Sequence, residues 1–140
     1  MSVQSYLFFE GRADEAIAFY GEALGAEVLM RMTYGEGPDG ECPGGTKLPA
    51  DKVMHAGLRI GDTEVGLSDG MCSGKPDFRG FSLTLVCADD AEAQRRFDAL
   101  ADGGKVDMPL EESFFASSFG MLVDRFGVGW MVMVPKAMGG

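Results

Sequence analysis

The chain has 140 residues, of which 46% are hydrophobic and 24% charged. That is a globular balance with enough apolar material to close a core, and it excludes intrinsic disorder. Twelve basic against 22 acidic residues leave a formal charge of -10, which argues against binding to nucleic-acid phosphates or to an anionic membrane surface.

Ser5–Phe9 is short and aromatic, and reads as a first strand. Ala16, Ile17, Tyr20, Ala23 and Leu24 recur at helical spacing. Asp14 and Glu15 suit the positive end of that helix, and Gly25 supplies a stop. Ala26–Met32 reads as a strand. Residues 35–51 are dense in glycine and proline and read as a long loop of the kind that serves as a lid. Val53–Ile60 and Glu64–Ser68 form a hairpin about Gly61-Asp62.

After a linker at 71–80, the order of elements begins again. Phe81–Val86 is a strand, and Asp89 with Glu92 forms a capping box for a helix with Ala93, Phe97, Leu100 and Ala101 on its apolar face. Gly103-Gly104 ends it. Val106–Leu110, Gly120–Val123 and Trp130–Val134 are three further strands, the last turn bracketed by Asp124 and Gly127. Glu15-Ala16 matches Glu92-Ala93 at an offset of 77, and Leu7, Phe9 and Leu24 match Leu83, Leu85 and Leu100 at 76. The repeat predicts an α+β fold of two tandem βαβββ modules, over about residues 3–70 and 81–134.

The N-terminus has no basic segment or long apolar run, and no stretch reaches the roughly 18 apolar residues of a membrane span. Three widely spaced cysteines, Cys42, Cys72 and Cys87, suit a reducing compartment. A cytoplasmic protein that engages neither membrane nor nucleic acid is expected.

YLFFEGRADEAIAFYGEALGAEV, MHAGLRIGDTEVGLSDG, FSLTLVCADDAEAQRRFDALADGGKVDMPL and FGMLVDRFGVGWMV resemble the PhnB-like branch of the vicinal-oxygen-chelate superfamily. That superfamily includes glyoxalase I, extradiol dioxygenases and bleomycin-resistance proteins. The resemblance covers residues 5–134. It implies one domain whose two modules each curl a half-barrel sheet around a cleft, and a homodimer. Two half-barrels leave apolar segments, Tyr6–Phe9 and Phe114–Phe119, that one helix per module cannot hide.

Metal-dependent members of the superfamily carry ligands on the first and last strands of each module. The corresponding positions are Ser5, Ser82, about Met131, and a position near Asp69. Two hydroxyls, a thioether and one carboxylate are a poor donor set for a divalent cation, so no metal or other cofactor is expected. Some proteins of this branch carry the description of a ubiquinone-precursor methyltransferase. The sequence has no glycine-rich strand-to-helix turn followed by an acidic residue about 20 positions on, the arrangement that holds a nucleotide-like cofactor.

His55 is the one histidine, which rules out a two-histidine metal site within one chain. Its ordinary pKa of about 6.5 suits proton transfer near neutrality. Alternation places it on a face with Val53, Gly57 and Arg59, with Glu64 across the hairpin to orient it. A hydrogen-bonded strand histidine is the plainer alternative. Phe114, Phe115, Phe119, Phe126 and Trp130 line a pocket for a flat ligand or fill the core. Phe115 and Ala116 stand where many relatives carry Trp and Gly. The ten methionines either make a plastic cleft or pack the core.

Two functions follow. The first is a metal-free small-molecule binding protein, with His55, Arg59, Glu64, Asp69, Ser82, Phe114, Phe115 and Trp130 as candidate ligand contacts. The second is a metal-dependent lyase, isomerase or dioxygenase, with His55 and Glu64 or Asp69 as ligands.

Overall fold

The computed structural model describes residues 1–36 and 48–136. Most of the expected lid loop, residues 37–47 with Cys42, lies outside them. The elements are β1 (Ser5–Phe8), α1 (Ala13–Leu24), β2 (Glu27–Thr33), a 3-10 turn at Tyr34–Glu36, β3 (Val53–Ile60), β4 (Thr63–Ser68), β5 (Leu83–Val86), α2 (Asp90–Ala101), β6 (Lys105–Glu111), β7 (Ala116–Val123) and β8 (Gly129–Pro135). The chain divides into two compact units, Met1–Pro76 and Asp77–Gly140.

Each unit is one βαβββ module, and the fold is α+β. The first sheet runs β1-β4-β3-β2 and the second β5-β8-β7-β6. In each, the outermost pair (β1 with β4, β5 with β8) is parallel and the rest antiparallel. The two modules therefore share one strand order, as the repeat predicts. The offset needs correction. Ser5–Phe8 answers to Leu83–Val86, 78 residues on, and Ala13–Leu24 to Asp90–Ala101, 77 on. Leu7 thus corresponds to Leu85 and Leu24 to Ala101, because the first module has one more residue between strand and helix. Phe9 N–H donates to Ser68 O, and Cys87 N–H to Met133 O, both at 2.8 Å, which fixes that alignment.

β7 begins at Ala116, four residues before its expected start. Its Ser-Ser pair has the composition of a loop, but both hydroxyls donate to Asp90 Oδ1 at 2.7 Å. The strand thereby reaches the start of α2.

One face of each sheet is covered by its own helix. In the first module Leu7, Phe9, Ala56, Leu58, Val65 and Leu67 meet Ala16, Tyr20, Ala23 and Leu24, all buried. In the second, Ala116, Leu122, Trp130 and Val132 share the buried core with Ala93, Phe97 and Leu100. Burying each such large side chain contributes about 1.5–3 kcal/mol. Among the described residues, no helix is long and apolar enough to cross a membrane.

The helices are held at their starts in two ways. Asp89 caps α2 locally, its carboxylate accepting from Glu92 N–H at 2.8 Å. Glu92 returns the contact to Ala88 N–H at 3.1 Å, one residue earlier than a standard capping box. The residue at the N-cap of α1 is Arg12, which makes no side-chain cap. Asp69, just past the end of β4, does that work from a distance. Its Oδ1 accepts from Gly11 N–H at 2.9 Å and Ala13 N–H at 2.7 Å, and its Oδ2 from Val53 N–H at 2.7 Å. A negative charge at the helix start also complements the helix dipole.

Asp124 plays a related part in the second module. It is buried, accepts from Phe126 and Val128 N–H at 2.9 and 3.1 Å, and takes Trp130 Nε1–H at 2.9 Å. Replacing Asp69 by Ala strips the acceptor from three backbone N–H groups. Denaturant unfolding should show a loss of about 3 kcal/mol or more, with Asp69→Asn, which retains one acceptor oxygen, losing less.

Candidate functional site

The face of the first sheet turned away from α1 carries the polar and aromatic side chains. Cross-strand register sets its rows. Tyr6 is opposite Gly66, Gly66 opposite Gly57, and Gly57 opposite Met30. Two adjacent glycines leave the middle of this face without side chains. A Cβ on Gly66 would lie 2.6 Å from the Tyr6 ring, so the ring occupies the space that glycine leaves. Isolated glycines within strands signal such close approach. Alternation places Gly57 on this face, but Gly66 and the trough that the pair leaves are what sequence reasoning passed over.

Beside this trough opens a cavity of about 410 Å³. Tyr6, Phe8 and Tyr34 supply aromatic surface, Met54 and Met71 thioether surface, and Glu10, Ser68 and Gly70 the polar edge. The volume lies within the range of small-molecule sites. Tyr34 is held by its hydroxyl, which donates to Gly70 O. Tyr34 N–H donates to Lys52 O and Gly35 N–H to Ala50 O, each at 3.0 Å, which closes the chain beneath the ring.

His55 lies on this face, half-buried. The Tyr6 ring stacks against it with centroids 5.5 Å apart and 13° between planes. The Tyr6 hydroxyl is 2.8 Å from His55 Nδ1. Burial raises the Tyr6 phenol above its ordinary value, opposed by a hydrogen bond with Ser68. The phenol thus stays protonated at neutral pH, and when it donates to Nδ1 the proton of a neutral imidazole is on Nε2.

The expected neighbours of His55 change. Met32 pairs with His55 and Thr33 with Val53, so Met54 is an extra, bulged residue. The bulge resets the alternation. Val53 points into the core with Ala56 and Leu58, whereas His55 shares its face with Gly57 and Arg59. Glu64 sits opposite Arg59, four residues along β3 from His55, and does not orient it; Tyr6 does. Arg59 is ion-paired with Glu27 across the sheet.

The other candidates disperse. Asp69 is 1% exposed, with both oxygens taken by backbone N–H groups, and does not face the cavity. Its neighbours Ser68 and Gly70 do. Trp130 and Phe126 are core residues of the second module. Phe114 is 90% exposed and stands edge-on to Phe115, which in turn meets Phe119. Ser82 lies beside Gly129.

The carried-over metal positions also shift. Ser5 shares the helix-facing parity of Leu7, so the open-face position on β1 is Tyr6. On β4 the open-face positions are Gly66 and Ser68, and on β8 Met131. Neither the phenol and hydroxyl of the first module nor the thioether of the second makes a donor set for a divalent cation. Among the described residues no group of three or more His, Cys, Asp or Glu side chains is placed to hold one. Nor is either described thiol activated. Burial is the largest influence raising both, with Cys87 pushed up to about 11.

Because His55 is the single histidine of the chain, its ring nitrogens can be observed without assignment. Nitrogen-15 NMR above the His55 titration should show the Nε2–H tautomer in dominance. Tyr6→Phe, which removes the donor to Nδ1, should shift the two signals toward the mixture of a free imidazole.

The chain matches the model of the family described as 3-demethylubiquinone-9 3-methyltransferase over residues 1–133. It is 40% identical over 142 residues to protein YjdN of Escherichia coli K12, with 97% of each chain covered. Its structure matches that of protein PA1353 from Pseudomonas aeruginosa at a TM-score of 0.81 and 37% identity, covering 98% of this chain and 99% of that one. A Bacillus cereus PhnB protein matches at 0.77 and 27% identity, covering 96% and 99%. The fold alone is shared with a glyoxylase/bleomycin resistance protein/dioxygenase domain from Frankia, at 0.63 and 17% identity over 96% and 94%. With the two βαβββ modules already in place, these matches show that the chain belongs to the PhnB-like family whose model is described as 3-demethylubiquinone-9 3-methyltransferase.

Proposed function

We propose that the chain is a cytoplasmic, metal-free binding protein for a small organic molecule, held against the open face of the first module. The observation that carries this reading is the cavity of about 410 Å³ whose walls are Tyr6, Phe8, Tyr34, Met54 and Met71. Such apolar walls with a few convergent polar groups suit an aromatic or alicyclic ligand. The donor set supports binding over metal-assisted lyase, isomerase or dioxygenase chemistry. The methyltransferase description of the family finds no support in the β1–α1 turn. That turn carries a single glycine, Gly11, and its Glu10 carboxylate accepts from Met71 and Ser73 N–H.

Naphthalen-2-ylmethanol serves as an uncharged probe of this cavity. It should bind measurably in titration calorimetry, and Met54→Trp, which fills the cavity from β3, should weaken it by about fivefold or more. Unchanged binding in Met54→Trp would move the site elsewhere. Zinc, nickel, manganese or iron retained stoichiometrically after dialysis, and lost in His55→Ala, would favour the metal-dependent reading instead.

The working unit of this reading is a homodimer. Phe114, Val86, Val106 and Met108 of the second module stand 90%, 60%, 44% and 48% exposed. A second copy that covered such side chains would need to bury about 1,000 Å² or more for a stable interface. The charge of -10 on each chain opposes association, but physiological salt screens it beyond about 8 Å. Light scattering in 150 mM salt should give twice the 14.9 kDa of one chain; a monomer mass would remove the dimer from this reading.

A further inference from the structure

Resting on the reading of this cavity as a ligand site, we infer that its ligand is an organic ammonium ion with an apolar body, whose cationic head sits between Glu10 and the rings of Tyr6, Phe8 and Tyr34. Three observations converge. Among the described residues that line the cavity, Glu10 is the one with a charged side chain. Each of its oxygens accepts a single long hydrogen bond, Oε1 from Ser73 N–H and Oε2 from Met71 N–H, both at 3.3 Å. A carboxylate has about four acceptor positions, so unused lone pairs remain for a cation.

The backbone at Glu10 is the second observation. Its φ is +52°, a left-handed conformation that glycine adopts freely and glutamate does not. Gly70 opposite has φ +56°, and a Cβ there would lie 1.9 Å from Glu10 Oε2. The chain keeps a carboxylate at a position suited to glycine, and a glycine where any side chain would displace that carboxylate. Strain of this kind at a cavity edge is the mark of a position held for function.

The aromatic surface is the third. Tyr6 and Phe8 have ring centroids 5.1 Å apart and are tilted by 47°, so they present adjoining faces rather than one stack. Rings that wall a cavity beside a carboxylate attract an ammonium through their negative faces. An anionic head would instead meet Glu10 in a chain already carrying -10.

The test compares three probes with one ring system: naphthalen-2-ylmethyl-trimethylammonium, naphthalen-2-ylmethanol and 2-naphthylacetate. Calorimetry on the full chain should rank them cation, alcohol, anion, with the cation about tenfold tighter than the alcohol at 50 mM salt. Raising the salt to 500 mM should narrow that gap. Glu10→Gln should lower affinity for the cation and leave the alcohol within about twofold. The ranking on the unaltered protein stands by itself should Glu10→Gln fold poorly. An alcohol that binds as tightly as the cation, or an anion that binds more tightly, overturns the ammonium assignment while the cavity remains a ligand site. Binding by none of the three overturns both.

Discussion

The first module hangs on one buried carboxylate. Asp69 lies where β4 ends, and it gathers three N–H groups from two places far apart in the chain: Gly11 and Ala13 where α1 begins, and Val53 at the start of β3. Asp69 N–H in turn donates to Val53 O at 2.8 Å. A bare charge could not be held inside at acceptable cost. Three donors make it affordable and lock the elements in register. Because Asp69 turns inward, Ser68 and Gly70 on either side of it turn toward the cavity. The cavity wall is therefore placed by a residue that does not touch it.

The second module follows the same topology without the same chemistry. Its open-face rows read Thr84, Met131, Met121 and Val86, Met133, Phe119. Where the first module has a glycine pair, a phenol and an imidazole, these rows have thioethers, apolar side chains and the single hydroxyl of Thr84. The two modules are thus two frames of one architecture. Only in the first do missing side chains at Gly57 and Gly66 open a trough beside a titratable pair. The methionines of the second are in part the adaptable packing expected of that residue.

Architecture was legible because it rests on periodicity and punctuation. The helical spacing of Ala16, Tyr20 and Ala23, the Asp89 cap and the stop at Gly25, with φ +67°, are local signals that packing left in force. The site was legible only in part. His55 was found by residue type, but the bulge at Met54 that sets its face is a cross-strand property. Asp69 looked like a ligand because a carboxylate at a strand end is ambiguous until its donors are known. Three of them come from residues 16 to 58 positions away. Glu10 offered no pattern at all, since its strained φ and its partners at 71 and 73 exist only after folding.

β2 and β6 are corresponding edge strands, each broken in register against its inner neighbour. They are defended unequally. β6 carries Pro109, which has no N–H to offer, and charges at Lys105, Asp107 and Glu111. β2 carries Glu27 and Arg31, but also Val28, Leu29 and Met30 in succession, 51%, 43% and 39% exposed, with a bulge at Leu29. During synthesis the first module emerges before the second, and its hydrophobic edge is present from the start. The margin against misassembly in a crowded, newly made population of chains therefore rests on that bulge and on the charges of Glu27 and Arg31.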